Sequence, residues 1–359
     1  MAESAQAAHS AINFPATARE LQDRIETIRG GAAFRNYEYA RERVFEMRAR
    51  AAQIPEARPS AYWAEELANF EYMLDASPLV IDKLRHHSHH LTGLFAHSYR
   101  SHRNRQRVKF AEKLRELQKV GNPELLVPEG RLLGGFGFEI DGQLFNIDTL
   151  KFFEVLIALD KGAVLQEFRG NAKRRLVWEI GAGWGGFPYQ FKSLCPNVTY
   201  VISDFPELFL FSATYLMTVF PGTRVAFWGE QPSPLAAANW REYDFIFMPN
   251  YALDELRPER LDLTINMVSF QEMTGEQVAR YVGHAYALNC PFLYSLNRER
   301  SAYNPEIDSV SAIFARFYWP REIGILHVPY TRMLDGSSSQ DDYKHIIGWR
   351  RVKTEGSKA

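Results

Sequence analysis

Cysteine is nearly missing: Cys195 and Cys290 are the only two in 359 residues. That excludes a disulfide scaffold and makes a reducing, cytoplasmic setting the simplest expectation. Apolar runs long enough to cross a bilayer are missing as well, which excludes a spanning helix. Met1 to Phe14 carry neither the basic start nor the apolar stretch of an export signal. Charge of one sign is also lacking, since the formal net charge is −1. Nothing then pulls the whole chain toward nucleic acid or an anionic membrane. Internal repeats and low-complexity blocks are absent.

What is present suits a packed interior, with 46% hydrophobic and 14% aromatic residues. The length favours a nucleotide-binding core with one smaller domain. We expect a mostly helical cap over residues 1–125, a hairpin linker over 126–148, a core over 149–353 and a frayed tail over 354–359. Homo-oligomerisation stays open.

The chain is organised around Leu176 to Gly186, Leu-Val-Trp-Glu-Ile-Gly-Ala-Gly-Trp-Gly-Gly. It reads as a buried strand entering a glycine-rich turn, with a helix from about Phe187. Gly181, Gly183 and Gly185 permit a sharp bend and the approach of a ligand to the backbone. A second apolar strand, Val198 to Ile202, ends at Asp204, where an acid suits the hydroxyls of a ribose. The glycines also fit a dinucleotide turn through Gly181, Gly183 and Gly186. Glu179 separates the two readings. A carboxylate beside that turn opposes a pyrophosphate, whereas a sulfonium with a free amino group tolerates or favours it. S-adenosylmethionine is therefore preferred over NAD.

In the first third, apolar positions recur at helical spacing through Phe34 to Met47 and Tyr62 to Leu74, with Pro55 and Pro59 between. His86, His87, His89, His90, His97 and His102 crowd one stretch. They read either as a zinc site or, without nearby cysteine, as a helix lining a polar cleft, and the second reading is preferred. The basic run from Arg100 to Lys119 reads as a solvated face or as an attraction for a phosphate-bearing acceptor. Its lack of interleaved aromatics disfavours nucleic acid.

Glycines and prolines from Gly121 to Gly142 mark a boundary, with a hairpin pairing Phe136–Ile140 and Gln143–Ile147 about Asp141-Gly142. Asp148 is expected to cap a helix from Leu150 to about Leu165. The core then alternates as a doubly wound α/β sheet. Expected strands are Arg224–Trp228, Tyr243–Met248, Leu261–Val268 and Phe292–Leu296. The edge pair is expected at Ile323–Pro329 and Tyr343–Val352, around a polar loop at Asp335 to Ser339. Pro206 opens a helix running to Phe220, and Thr274 to Gln277 form a capping box for Val278 to Leu288.

Ligands of such sheets lie beyond the carboxyl ends of the strands. That nominates Glu179 to Gly186, Asp204 to Glu207, Asn250, and Asn266 to Met273. Within the last, Asn266, Ser269, Gln271 and Glu272 read as ligand-binding groups or as caps of the next helix. The segments Val-Trp-Glu-Ile-Gly-Ala-Gly-Trp-Gly-Gly, Ser-Asp-Phe-Pro-Glu and Asn-Met-Val-Ser-Phe-Gln-Glu-Met together resemble the sugar O-methyltransferase family of class I S-adenosylmethionine enzymes. The resemblance runs from Asp148 to about Tyr294 and reaches back to Leu84–His87 and Thr92-Gly93. It implies a Rossmann-like class I methyltransferase sheet under a helical cap, and methyl transfer to a sugar hydroxyl of a small-molecule or oligosaccharide acceptor. The His-rich cap and the insert between Arg224 and Tyr243 depart from the family pattern.

On this reading Glu179, Gly181, Gly183, Gly185, Asp204, Asn250 and Asn266 bind the cofactor, with S-adenosylhomocysteine as product. Ser269, Gln271 and His90 bind the acceptor. A hydroxyl needs a base during attack, and Glu272, His87 and His284 are the candidates. His284 equally fits a packed helix histidine. No metal is expected. The rivals are an NAD-linked oxidoreductase and a methyltransferase fold that binds without catalysing.

Overall fold

The computed structural model describes residues 14–100, 104–299, 309–325 and 343–351. The N-terminal segment, His102, the Asp335 to Ser339 loop and the tail from Thr354 lie outside these residues.

Among the described residues seven α-helices precede the first strand: α1 (Phe14–Arg29), α2 (Ala32–Ala51), α3 (Ala61–Asn69), α4 (Pro78–Asp82), α5 (Leu84–His87), α6 (His89–Thr92) and α7 (Asn104–Val120). On α2, Phe34, Tyr37, Ala40, Val44 and Met47 fall three or four apart and are all buried, which makes one apolar stripe. Ser60 caps α3 by accepting from the Trp63 N–H at 3.3 Å, after the prolines that end the preceding turn.

The hairpin follows as β1 (Phe138–Ile140) and β2 (Gln143–Phe145). Its turn places Asp141 at φ 50° and Gly142 at φ 77°, both left-handed as a two-residue hairpin loop requires. The strands are shorter than expected because Asn146 leaves the ladder to cap the next helix and donates from its side chain to the Phe136 carbonyl at 2.7 Å. Helix α8 (Ile147–Lys161) starts earlier than expected, and Asp148 is not its cap. Asn146 accepts from the Thr149 N–H in a reciprocal capping box, while Asp148 turns inward to an ion pair.

Beyond residue 175 strands and helices alternate: β3 (Arg175–Ile180), α9 (Gly186–Leu194), β4 (Val198–Asp204), α10 (Phe209–Val219), β5 (Val225–Phe227), β6 (Ala236–Ala237), β7 (Phe245–Pro249), β8 (Arg257–Pro258), β9 (Leu263–Met267), α11 (Gly275–Ala287), β10 (Phe292–Asn297), α12 (Val310–Phe314), β11 (Tyr318–Glu322) and β12 (Lys344–Arg350). Among the described residues the main sheet has eight strands in the order β11-β12-β10-β9-β3-β4-β7-β5. Only β12 runs against its neighbours. Strands β7, β4, β3, β9, β10 and β11 follow the doubly wound 3-2-1-4-5-6 order, with β12 inserted before the last. The fold is a Rossmann-like α/β sheet with an N-terminal helical region, as expected, and β5 extends one edge.

Some boundaries move. Pro206 opens a short 3-10 turn that precedes α10. The Thr274–Gln277 capping box is present and opens α11 at Gly275. Of the edge strand expected at Ile323–Pro329, Ile323 to Ile325 are not strand and residues 326–329 lie outside the described residues. An edge strand at Tyr318–Glu322 was not expected, since Pro320 and exposed residues hide its pattern.

Side chains alternate across β3, so its two faces build different cores. Val177 joins α2, α8, α9 and α10 in one cluster, whereas Leu176, Trp178 and Ile180 join α11 and α12 in the other. Because α2 and α4 contribute to the first cluster, the cap shares its interior with the sheet. Among the described residues no helix is long and apolar enough to cross a membrane.

Candidate active site

Strand β3 points its carboxyl end into the glycine-rich turn between the tips of β4 and β9. Gly181, Gly183 and Gly185 have φ of 74°, 57° and 87°, a region that penalises side chains. The turn is fixed from two sides. The Gly181 N–H donates to the Ser203 carbonyl at 2.8 Å, and the Gly183 N–H donates to Asp204 Oδ2 at 2.9 Å. The other Asp204 oxygen accepts from the Phe205 N–H at 2.9 Å, so this acid faces the turn and leaves its remaining lone pairs for a ligand. A Cβ at Gly183 would meet nothing within 4 Å, whereas one at Gly181 would strike Ser269. The open side of the turn is thus at Gly183.

Three carboxylates sit at or beside this turn with raised pKa values. Burial pushes Asp204 up to about 7 against its two backbone hydrogen bonds. Burial pushes Glu179 up to about 8; Tyr200 opposes this and the Asp204 charge adds to it. The Tyr200 hydroxyl donates to one Glu179 oxygen at 2.6 Å, and the other oxygen is buried without a partner. Burial likewise pushes Glu272 up to about 8, reinforced by the charges of Asp204 and Glu66. Glu66 lies on α3, so the cap brings an acid toward the sheet edge. The Asn250 side-chain amide oxygen is also buried and unpartnered among the described residues.

The other candidates are engaged within the protein. The Asn266 amide donates to the Ile180 carbonyl at 2.9 Å and to Ser269 Oγ. Its oxygen accepts from the Phe270 N–H at 3.1 Å and from Asn297 at 2.8 Å. Gln271 donates to the Tyr343 hydroxyl at 3.2 Å and accepts from the Arg298 N–H at 3.1 Å. Asn266, Ser269 and Gln271 therefore tie the tips of β3, β9 and β10 together.

The histidines lie elsewhere. His284 Nε2 pairs with the Leu256 carbonyl at 2.9 Å and its ring meets Trp178 edge-on. The structure thus packs His284 against mid-strand β3 and does not bring it to the turn. His87 Nδ1 pairs with the Tyr72 hydroxyl at 2.8 Å, and His90 packs among Phe70, Tyr72 and His89. Burial first, then neighbouring imidazoles, lowers the pKa of both. The charges that act on Glu272 come from Asp204 and Glu66, and neither histidine is among them. Among the described residues no three His, Cys, Asp or Glu side chains gather to hold a metal.

A second set of buried charges supports the turn from below. Arg85 of α5 is 1% exposed. It donates to Glu129 at 2.8 Å and to Asp148 at 2.7 Å. Its guanidinium lies 3.7 Å from the centroid of the Trp184 ring, and the Trp184 N–H donates to Asp148 at 3.1 Å. Trp184 is the residue between Gly183 and Gly185. Glu66 and Arg85 escape sequence reasoning, since each looks like a charge on a solvated helix. The one available signal was a bulky tryptophan inside a glycine turn.

Neither a protein-family model nor a curated protein matches the sequence. Among solved structures, the fold is similar to an O-methyltransferase family protein from Burkholderia thailandensis, with 14% identity and a TM-score of 0.35, over 58% of this chain and 60% of that one. It is also similar to the bifunctional kinase-methyltransferase WbdD, with 13% identity and a TM-score of 0.36, over 56% of this chain and 38% of that one. A third is the magnesium protoporphyrin IX methyltransferase ChlM from Synechocystis PCC 6803 with bound SAM, with 14% identity and a TM-score of 0.34, over 59% of this chain and 87% of that one. The chain spans less than two thirds of the length of the first two.

Proposed function

We propose that the protein is an S-adenosylmethionine-dependent O-methyltransferase acting on a hydroxyl of a sugar or glycosylated small molecule. The observation that carries this reading is the open Gly183 face beside Asp204, Glu179 and Glu272, acids whose burial outweighs any neighbouring cation. Buried anions of this kind favour a cationic ligand and oppose a pyrophosphate. The donor sets fit the nucleoside: Asp204 keeps free lone pairs for ribose hydroxyls, and Asn250 keeps a free buried oxygen. When bound, the cofactor supplies an electrophilic methyl on sulfur.

The protein's own part is to position the acceptor and to take its proton. Alignment of an acceptor oxygen for in-line attack dominates such a reaction. Glu272, pushed up to about 8, is poised near working pH to accept the hydroxyl proton. Asn266, Ser269 and Gln271 act by holding the strand tips, and His87 and His90 belong to the cap wall.

Calorimetry with S-adenosylhomocysteine tests the reading directly. We expect saturable heat with the native protein and a loss of at least tenfold in affinity for Asp204→Ala. Absence of heat with native protein ends the proposal. Retained binding with no labelled methyl transferred to any acceptor pool, and no change in Glu272→Gln, would instead favour a non-catalytic binding module.

A further inference from the structure

A cavity of about 400 Å³ lies between the end of α2, the turn at Pro55 to Pro59, helix α3 and the start of α10. That volume falls in the range of small-molecule sites. Its inner wall is apolar, built from Ala51, Leu67, Phe70, Phe205 and Leu210 among others. The polar groups on it are already spent or sit at the rim. Arg48 pairs with Glu207 at 2.9 Å, and the Tyr251 hydroxyl donates to the Met47 carbonyl at 2.8 Å. Arg58 and Glu71, of opposite charge, stand at the mouth.

A naked sugar would leave most of its hydroxyls unpaired against such a wall, at a cost of about 1–3 kcal/mol for each one buried. A peptide helix, about 10 Å across, is too large for the space. A hydrophobic small molecule fits both volume and lining. The position links the cavity to the proposed chemistry. Phe205 lines it and directly follows Asp204, while α3 turns Ala64, Leu67 and Ala68 toward it and carries Glu66 near Glu272.

We propose that this cavity binds a hydrophobic small molecule and, resting on the methyltransferase reading above, that this molecule is the apolar body of the acceptor. The acceptor class narrows from a free sugar to a hydroxylated compound with an aromatic or branched aliphatic portion.

The test uses the full chain and the neutral fluorophore N-phenyl-1-naphthylamine. We expect saturable fluorescence enhancement that saturating S-adenosylhomocysteine leaves in place. Ala64→Trp and Ala68→Trp both place bulk on an exposed side of α3 at the cavity. Each should weaken the fluorophore at least tenfold while changing the affinity for S-adenosylhomocysteine less than twofold. Unchanged fluorophore affinity in both variants overturns the site, and displacement by S-adenosylhomocysteine overturns it by assigning the cavity to the cofactor. No S-adenosylhomocysteine heat alongside a tryptophan-sensitive fluorophore site would remove the methyltransferase reading alone, leaving the hydrophobic site standing.

Discussion

Two groups of buried charge meet at the glycine turn, and they are balanced differently. Below it, Arg85 is clamped by Glu129 and Asp148 and stacked on Trp184. Burial would push Asp148 up, but Lys151 and Arg85 outweigh it and hold the carboxyl below its ordinary range. Glu129 is raised even so, because its desolvation exceeds what Arg85 returns. Above the turn burial dominates instead: it raises Asp204, Glu179 and the partly buried Glu272, and the one cation that acts on them, Lys151 near Glu179, does not offset it. Breaking a paired buried charge costs the fold, whereas an unpaired one waits on a ligand. On the proposed reading, the difference separates what holds the turn from what binds at it.

The largest effect should come from breaking the paired set. Arg85→Met leaves buried Glu129 without a cation and Asp148 with Lys151 alone, and should cost about 3–5 kcal/mol, read as a lowered melting temperature. Adding Glu129→Gln and Asp148→Asn should restore part of it; full stability in the single variant would erase the contrast. Next comes Gly183→Ala. Its left-handed φ costs stability by about 1–2 kcal/mol, while the new Cβ enters the open face. S-adenosylhomocysteine affinity should fall at least tenfold, and unchanged binding by calorimetry would place the ligand elsewhere.

The unpaired set should be visible in pH dependence. The folded pKa values lie near 7 for Asp204 and 8 for Glu179 and Glu272, above the ordinary 3.8 and 4.5. The folded state therefore binds more protons than the unfolded one. Stability is fully present below about pH 4 on this account and is lost as pH rises toward about 8. The ligand-free melting temperature should fall over that window, less steeply in Asp204→Asn and Glu272→Gln. Cationic S-adenosylmethionine should bind with proton release near pH 7, detected as a buffer-dependent heat. The smallest effect belongs to His284→Asn, which removes one hydrogen bond worth about 1 kcal/mol and should leave methyl transfer within a few-fold.

How much of this was legible beforehand follows the same divide. The strand, turn and acid from Leu176 to Asp204 could be read because local patterns determine them: apolar runs, left-handed glycines, and an acid at a strand tip. Expected strands in the core fell within a few residues of those observed. Asp148 was misread because a capping acid and an ion-paired acid look alike until Arg85 arrives from 63 positions away. Glu66 was missed for the same reason, and β11 because Pro320 sits in it. The roles assigned to Asn266 and Gln271 came from their polarity, which the structure spends on neighbouring strand tips.

The insertion of β12 has a consequence for biosynthesis. Among the described residues strand β11 pairs only with β12, which also pairs with β10. A chain emerging from the ribosome can dock β3, β4, β7, β9 and β10 in turn, but β11 has no place to join until residues 344–350 have been delivered. Residues 344–350 are the wedge that completes that margin of the sheet, so chains released before them would carry an open, adhesive edge.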